Sequence, residues 1–340
     1  MGYLILITGP DLNKNFTALI SSQNKDGSFS SVVGKKSIDD LPKGDLLVKV
    51  EYSSLNYKDA LSATGSPGVT KIYPHTPGID AAGIVEGTQD SHYPIGSRVI
   101  ITGFDLGMNT SGGFGQYIRV PSSWAIKCPD GLSNKEAMML GTAGLTAGLC
   151  IYEIDQYLNL NNASIVVSGA TGGVGSMAVN ILSSLGAVVT AITGKDEKSF
   201  LRNIGATTVL HRNEFLSSTR HPLNRGIYDA AIDVAGGNIL SCILASMSYE
   251  GVVATCGNVA GASFETTVFP FILRGNRLIG IDSAEKKIDI REAVWQKLAS
   301  DWAVQDLPSM CKEVGLNELS VEIEKILSGN QTGRILVNLS

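Results

Sequence analysis

Residues 165–182 read IVVSGATGGVGSMAVNIL: an apolar run, a glycine-rich turn, and then apolar residues at helical spacing. A turn that closes a strand and opens a helix is the context in which a glycine pattern carries information about phosphate binding. The G-x-G-x-x-G spacing falls here on Ala170, Gly172 and Gly175, with Gly169 and Gly173 alongside, so the first place is alanine. Gly172 and Gly173 leave room for backbone N–H groups to approach a diphosphate, and Gly175 lets the helix close on the strand. The helix N-terminus then faces the negative charge. A plain tight turn is the competing reading, and the segments on either side decide against it.

Downstream, strands and helices alternate. AVVTAIT, TTVLH, YDAAIDVAG, GVVATCG and NRLIGID read as strands after SIVVSG, and DEKSFLRNIG as a helix after GVGSMAVNILSSLG. Short apolar strands separated by helices predict a parallel sheet covered on both faces, a doubly wound α/β fold. Upstream, from about Phe16 to Val120, the chain is β-rich, with LLVKVEYSSL (46–55), AAGIVEG (81–87) and RVIITGF (98–104) as strands. NKEAMMLGTAGLTAGLCIYEI (134–154) predicts helix, turn, helix. Helices near 289–302 and 318–328 and a closing strand GRILVNL follow the sixth strand. The expected organisation is therefore one domain from residues 1–128 and 285–340 and a dinucleotide-binding domain from 129–284. The first fifteen residues fit an ordered strand or a loose extension equally well.

The second strand of the alternating region indicates which dinucleotide. An NAD site places Asp or Glu about 20 residues beyond the glycine turn, on the ribose 2′-OH. Here the strand ends in Thr193-Gly194-Lys195, and the first carboxylate is Asp196. Thr193 can hydrogen-bond a 2′-phosphate and Lys195 can neutralise it, with Lys198 or Arg212 assisting. Asp196 suits the N-cap of the next helix. NADP(H) is expected over NAD(H).

Composition sets the remaining bounds. The 340 residues carry a net charge of −5, with 44% hydrophobic and 17% charged residues and 38 scattered glycines, the make-up of a globular enzyme. That balance gives no basic footprint for nucleic acid. The start, MGYLILITGPDL, lacks the cationic flank and long apolar run of a secretory signal. The apolar region at 164–193 is too interrupted for a membrane span. Five cysteines (128, 150, 242, 256, 311) form no C-x-x-C pair and fit reduced thiols in the cytoplasm. His75, His92, His211 and His221 show no ligand spacing, and no metal is expected.

The ordered series PGIDAAG, GSRVIITG, GTAGLTA, SGATGGVG and TTVFPFILRGNRLIGIDS resembles the medium-chain dehydrogenase/reductase superfamily, in its zinc-free quinone oxidoreductase branch. SSLNYKDAL and FPFILRGNRLIGIDS are similar to the bacterial subgroup of acrylyl-CoA reductases and quinone oxidoreductases, over roughly residues 16–340. Where alcohol dehydrogenases of the superfamily carry GHE with a zinc ligand, this chain has Gly78-Ile79-Asp80. The resemblance implies a GroES-like first domain, a Rossmann domain, and a cleft for nicotinamide and substrate. It implies a diphosphate loop at Thr171, Gly172, Gly173 and Val174, and a 2′-phosphate end at Thr193, Gly194 and Lys195 with Arg212 near the adenine. It also implies cofactor contacts at Thr146, Ile272, Ser283 and Asn258, the last at a position where many members have an apolar residue. A homodimer joined through the edge strands of the sheets, here NRLIGID, is implied as well.

NYKDAL supplies the candidate chemistry. Hydride addition to the β-carbon of an activated alkene builds negative charge on the carbonyl side, and a proton must reach the α-carbon. Tyr57 is the candidate to deliver it or orient a water. Asn56 would position nicotinamide or substrate, and Asp59 would hold the local geometry. Packing for the tyrosine and a helix cap for the aspartate are the structural alternatives. An enoyl thioester of the acrylyl-CoA type is the first expected substrate, with Arg274, Arg277 and Arg334 as candidates for its phosphates. A quinone is the second. An NADPH-binding structural or nucleic-acid-binding protein is a third reading, opposed by the acidic charge and the intact NYKDAL.

Overall fold

The computed structural model describes residues 15–218 and 221–340. The alternatives for the first fifteen residues therefore lie outside the described residues, apart from Asn15. The chain divides into two compact units, Met1–Gly141 with Glu313–Asn330 and Ile335–Ser340, and Thr142–Lys312 with Gln331–Arg334.

In the first unit β1 (Asn15–Gln23) and β2 (Phe29–Ser37) form an antiparallel pair. β3 (Leu46–Leu55) is the hub of the main sheet. It is followed by α1 (Tyr57–Ala63), β4 (Asp80–Thr88), β5 (Arg98–Thr102), β6 (Tyr117–Val120) and β7 (Ala125–Lys127). The first part of β3 pairs antiparallel with β4 on one side and β6 on the other. Its last residues pair with the strand that ends the chain, with Ile335 opposite Leu55. Leu46, Val48, Val50, Leu55, Ile101, Phe114 and Ile118 fill the core beneath. α2 (Asn134–Asp155) runs out of this unit with a break at Gly141, whose φ of 51° and ψ of −154° are open to glycine and strained for other residues. The break is the turn that the sequence placed between two helices. By length and composition α2 is apolar enough to cross a membrane, but 83% of its most apolar window is buried in the protein, the mark of a core helix.

The second unit continues with β8 (Ser164–Val167), α3 (Gly173–Ser184), β9 (Val188–Thr193), α4 (Lys198–Asn203), β10 (Thr208–His211) and α5 (Arg212–Ser218). β11 (Tyr228–Asp233), α6 (Gly237–Ala245), β12 (Met247–Thr255), α7 (Phe269–Arg274), β13 (Arg277–Gly280) and α8 (Ile288–Leu298) complete the alternation. The six strands are all parallel in the order β10-β9-β8-β11-β12-β13. Relabelled within the unit that is 3-2-1-4-5-6, the doubly wound order with its switch point between β8 and β11. β14 (Cys311–Gly315), α9 (Leu319–Leu327) and β15 (Arg334–Asn338) close the chain, and β14 and β15 extend the sheet of the first unit.

The division departs from the expected boundaries at 128/129 and 284/285. The first unit runs on to Gly141, because the break in α2 is where the chain changes direction. Residues 285–312 belong to the second unit, because α8 packs on α2: a β-carbon at Gly148 would lie 2.6 Å from Val294 Cγ1. Asp196 does not cap α4; Glu197 stands at the N-cap, without a side-chain capping bond.

Candidate active site

The glycine turn follows β8, at the switch point where the strand order reverses. Gly172 is the N-cap of α3, and its N–H donates to Gly169 O at 3.0 Å to close the turn. A β-carbon at Gly175 would come within 2.4 Å of Gly169 O and 2.7 Å of Ala170 Cα, so any larger residue would push the helix off the turn. Thr171, Gly172, Gly173 and Val174 therefore present backbone at the positive end of a three-turn helix.

The second loop stands beside the first. Thr171 Oγ1 and Thr193 Oγ1 are 3.2 Å apart, both side chains being nearly fully buried, and Thr193 Oγ1 accepts the Lys195 N–H at 3.1 Å. Thr193 thus ties the end of β9 to the glycine turn. Arg212, at the start of α5, lies over Gly194: a β-carbon there would meet its Nε at 2.9 Å. Lys195 is half-buried, and its Nζ donates to Gln331 O. Burial holds its pKa below that of a free lysine, against the opposing pull of Glu197. Of the residues predicted for a 2′-phosphate, Arg212 lies over Gly194 and Thr193 bonds the Lys195 N–H, while the Lys195 side chain turns to Gln331. Cationic groups next to a glycine with no carboxylate at the strand end form a donor set that fits a phosphate on the ribose better than a free hydroxyl.

The other predicted cofactor residues are more scattered. Thr146 is buried on α2 and donates to Thr142 O at 2.6 Å, one turn beyond Ala143, which approaches Gly173. Asn258 is exposed in the loop after β12, against Gly236 at the end of β11. Ser283 uses its carbonyl to accept from Arg291 Nη1 at 2.7 Å. Ile272 is 69% exposed on α7. Among the described residues no hydrogen bond joins Ile272 or Ser283 to the phosphate loops.

In the first unit the NYKDAL motif opens α1. Tyr57 is 47% exposed, whereas Asn56 and Asp59 are buried. Asp59 Oδ2 accepts the Asn56 backbone N–H at 2.8 Å and Asp59 Oδ1 accepts the Ile79 N–H at 2.7 Å, so this carboxylate caps the helix and ties it to the PGID segment. Asn56 Nδ2 donates to Asp80 Oδ2 at 2.8 Å and reaches Asp59 Oδ2 at 3.3 Å, bridging two buried acids. Ser54 Oγ donates to Asp80 Oδ2 at 2.6 Å. Burial first, and the Asp80 charge second, push the Asp59 pKa up to about 7. Asp80 was not among the predicted site residues. It reads as an ordinary strand start in PGIDAAG, and its partnership with Asn56 depends on the pairing of β3 with β4, which no local pattern displays.

The arginines proposed for a thioester are otherwise engaged. Arg274 donates to Met247 O at 2.6 Å, to Ala245 O at 3.2 Å and to Asn224 O. Arg277 stacks 4.8 Å over the Tyr157 ring. Arg334 is buried against Gly173. Anchoring of backbone accounts for Arg274. Of the histidines, His75 is buried with Nε2 at 2.9 Å from Gly107 O, and His92 packs edge-on to Tyr93. Among the described residues no group of three His, Cys, Asp or Glu side chains stands close enough to hold a metal. The donor set at Gly78-Ile79-Asp80, an apolar residue flanked by glycine and a hydrogen-bonded carboxylate, does not fit zinc.

Comparison with known proteins agrees with this architecture. The alcohol dehydrogenase GroES-like domain family matches residues 42–130, and the zinc-binding dehydrogenase family matches 173–300. Acrylyl-CoA reductase AcuI of Ruegeria pomeroyi is 37% identical over 328 residues, covering 96% of this chain and 99% of the relative. The Bacillus subtilis protein named "Putative quinone oxidoreductase YhfP" is 39% identical over 327 residues, 95% of this chain and 99% of its own, and the structure of yhfP with NAD bound superposes with a TM-score of 0.93. The yhdH oxidoreductase from Salmonella enterica, solved in complex with NADP, is 38% identical over 95% of this chain and 100% of that one, with a TM-score of 0.92.

Proposed function

Because the chain belongs to the medium-chain dehydrogenase/reductase superfamily, in the group of acrylyl-CoA reductases and quinone oxidoreductases, we propose that it is an NADPH-dependent reductase of activated C=C bonds, with an enoyl thioester of the acrylyl-CoA type as its substrate class. What supports the coenzyme is Arg212 lying over Gly194 next to Lys195, at a strand end without a carboxylate and beside a glycine turn that offers backbone N–H groups to a diphosphate. When bound there, NADPH supplies a hydride. The two phosphate loops would hold and orient it, and Thr146 would line its nicotinamide end.

Tyr57 takes the proton step. As the new C–H bond forms at the β-carbon, the alkene electron pair moves to the carbonyl side, and the α-carbon then needs a proton. The half-exposed Tyr57 phenol donates it or orients the water that does. Asn56 and Asp59 fix the first turn of α1 that carries the phenol. Aligning the reactants requires little else of the protein.

A quinone is the second reading, favoured by the equal likeness to the quinone oxidoreductase-named relative and by the engagement of Arg274 and Arg277 elsewhere. The two separate when NADPH oxidation is followed with acrylyl-CoA and with a simple 1,4-quinone, with products identified. Propionyl-CoA formation supports the thioester reading, and quinone turnover without it overturns that reading. A cytoplasmic homodimer with no nucleic-acid or membrane partner completes the proposal. Its support is the acidic charge together with the open edge of β13.

A further inference from the structure

Four residues late in the chain, Gln331–Arg334, belong to the dinucleotide-binding unit although their neighbours on both sides do not. They touch both phosphate loops. Gln331 O accepts from Lys195 Nζ, and Thr332 Oγ1 lies 3.4 Å from Glu197 Oε1, so the first half of the segment is bound to the loop after β9. The Gly333 N–H donates to Thr171 O at 3.0 Å, and Arg334 lies against Gly173, where a β-carbon would meet its Cδ at 3.0 Å. The second half is thus bound to the glycine turn. Through the Thr171–Thr193 and Thr193–Lys195 contacts the bonds close into a ring: Lys195, Gln331, Gly333, Thr171, Thr193 and back to Lys195. Gln331 Oε1 is buried without a hydrogen-bond partner, so the segment also holds an unused acceptor.

We propose that Gln331–Arg334 is a specificity-determining relay that makes recognition of the coenzyme's 2′-phosphate and of its diphosphate one coupled event. This rests on the NADP(H) reading of the site and adds to it. A 2′-phosphate competes with Gln331 O for Lys195 Nζ. Drawing Nζ away releases or re-seats residue 331, and residue 333 carries that change to Thr171 and the diphosphate loop. Preference for NADPH over NADH is then set partly at a segment that need not touch the adenine ribose.

The test uses the full chain and reads binding. Dissociation constants for NADPH and NADH are measured by nucleotide fluorescence for the wild type, Lys195→Met, Gly333→Ala and the double variant. Gly333 has φ +67°, and a β-carbon there would meet Met310 O at 2.4 Å, so Gly333→Ala moves the segment. The expected result is a roughly tenfold fall in the NADH/NADPH ratio of dissociation constants for Gly333→Ala, with no further fall when it is added to Lys195→Met. Equal weakening of both coenzymes, or ratio effects that multiply independently, overturns the relay. Should Gly333→Ala fail to fold, Thr332→Val replaces it. Amide exchange with adenosine 2′-monophosphate gives the second measurement: protection extends to 331–334 and 171–174 if the loops are coupled, and protection confined to 193–195 refutes coupling. Equal wild-type affinity for the two coenzymes, unchanged in Lys195→Met, instead sinks the NADP(H) reading beneath it.

Discussion

Asn56 is the residue on which the first unit's chemistry turns, because its amide stands between two buried carboxylates. Asp59 keeps both its oxygens on backbone N–H groups, so replacing it by Asn turns an amide N–H toward a donor. Asp59→Asn should cost about 1–3 kcal/mol at pH 5, as expected for an unsatisfied buried group, read as a lower urea midpoint. Its pH dependence is more distinctive. The folded-state pKa of about 7 stands above the ordinary 3.8, so between those values the native protein holds a proton that the unfolded chain has lost. Stability therefore falls as pH rises from about 4 to 7, by as much as about 4 kcal/mol from this group, and levels off above. His75, held below its usual pKa mainly by burial, acts in the opposite direction below about pH 6.5. The difference between wild type and Asp59→Asn across pH 5 to 8 isolates the carboxylate; a constant difference would show that Asp59 ionises normally. Tyr57→Phe is the separate test of proton delivery. Because the side chain is half-exposed, the loss should leave folding intact, lower kcat about 100-fold and spare NADPH affinity. Unchanged turnover would remove the phenol from the reaction.

At the scale of elements, local pattern carried most of the fold. β3 was read at 46–55 and forms over Leu46–Leu55, and the break in α2 falls at Gly141, inside the turn read between two helices. Both depend on residues in or next to one element: an apolar run bounded by Gly44 and Asp45 for the strand, a glycine amid helical spacing for the break. The pairing of elements was not legible in the same way. The end of the β/α alternation predicts α8 in the first domain. Its Val294, Trp295 and Leu298 are fully buried in the second unit, with Val294 and Leu298 against Gly148 on α2. That contact depends on the absence of one β-carbon more than a hundred residues away. Gly148→Val should therefore cost about 1–3 kcal/mol by overpacking, measured as a fall in thermal midpoint. The same substitution at Gly315, where an added β-carbon meets only Glu318 Oε2 at 3.9 Å, serves as the control. Equal effects at the two positions would show that helix packing at Gly148 is not what fixes α8. The phosphate loops follow the same rule. The glycine turn and the Thr-Gly-Lys end were visible in sequence, whereas their link through Gln331–Arg334 required the folded chain.

For the molecule as a whole, the open question is how many copies act together. β13 pairs only with β12 and leaves its outer edge without a strand among the described residues. Beside it, α7 and the loop before it expose Val268 at 61%, Phe269 at 43%, Ile272 at 69% and Leu273 at 58%. An open parallel edge flanked by apolar side chains is a surface that soluble proteins cover. We propose as its self-complementary partner a second copy related by a two-fold axis, with β13 against β13. Ile272 makes the test decisive, because family resemblance places it against the cofactor while its exposure places it at this edge. Light scattering of the wild type at micromolar concentration should give twice the chain mass of 35.9 kDa. Ile272→Asp combined with Leu273→Asp should bring that to the single-chain mass, by burying two unpaired charges in the contact. If Ile272 serves the interface, NADPH affinity of the isolated subunit stays within a few-fold of the wild type. If it serves the cofactor, affinity falls while the dimer persists in the single Ile272→Asp variant. A wild type that scatters as one chain would leave the edge of β13 without a partner of its own kind, and the dimer would be abandoned.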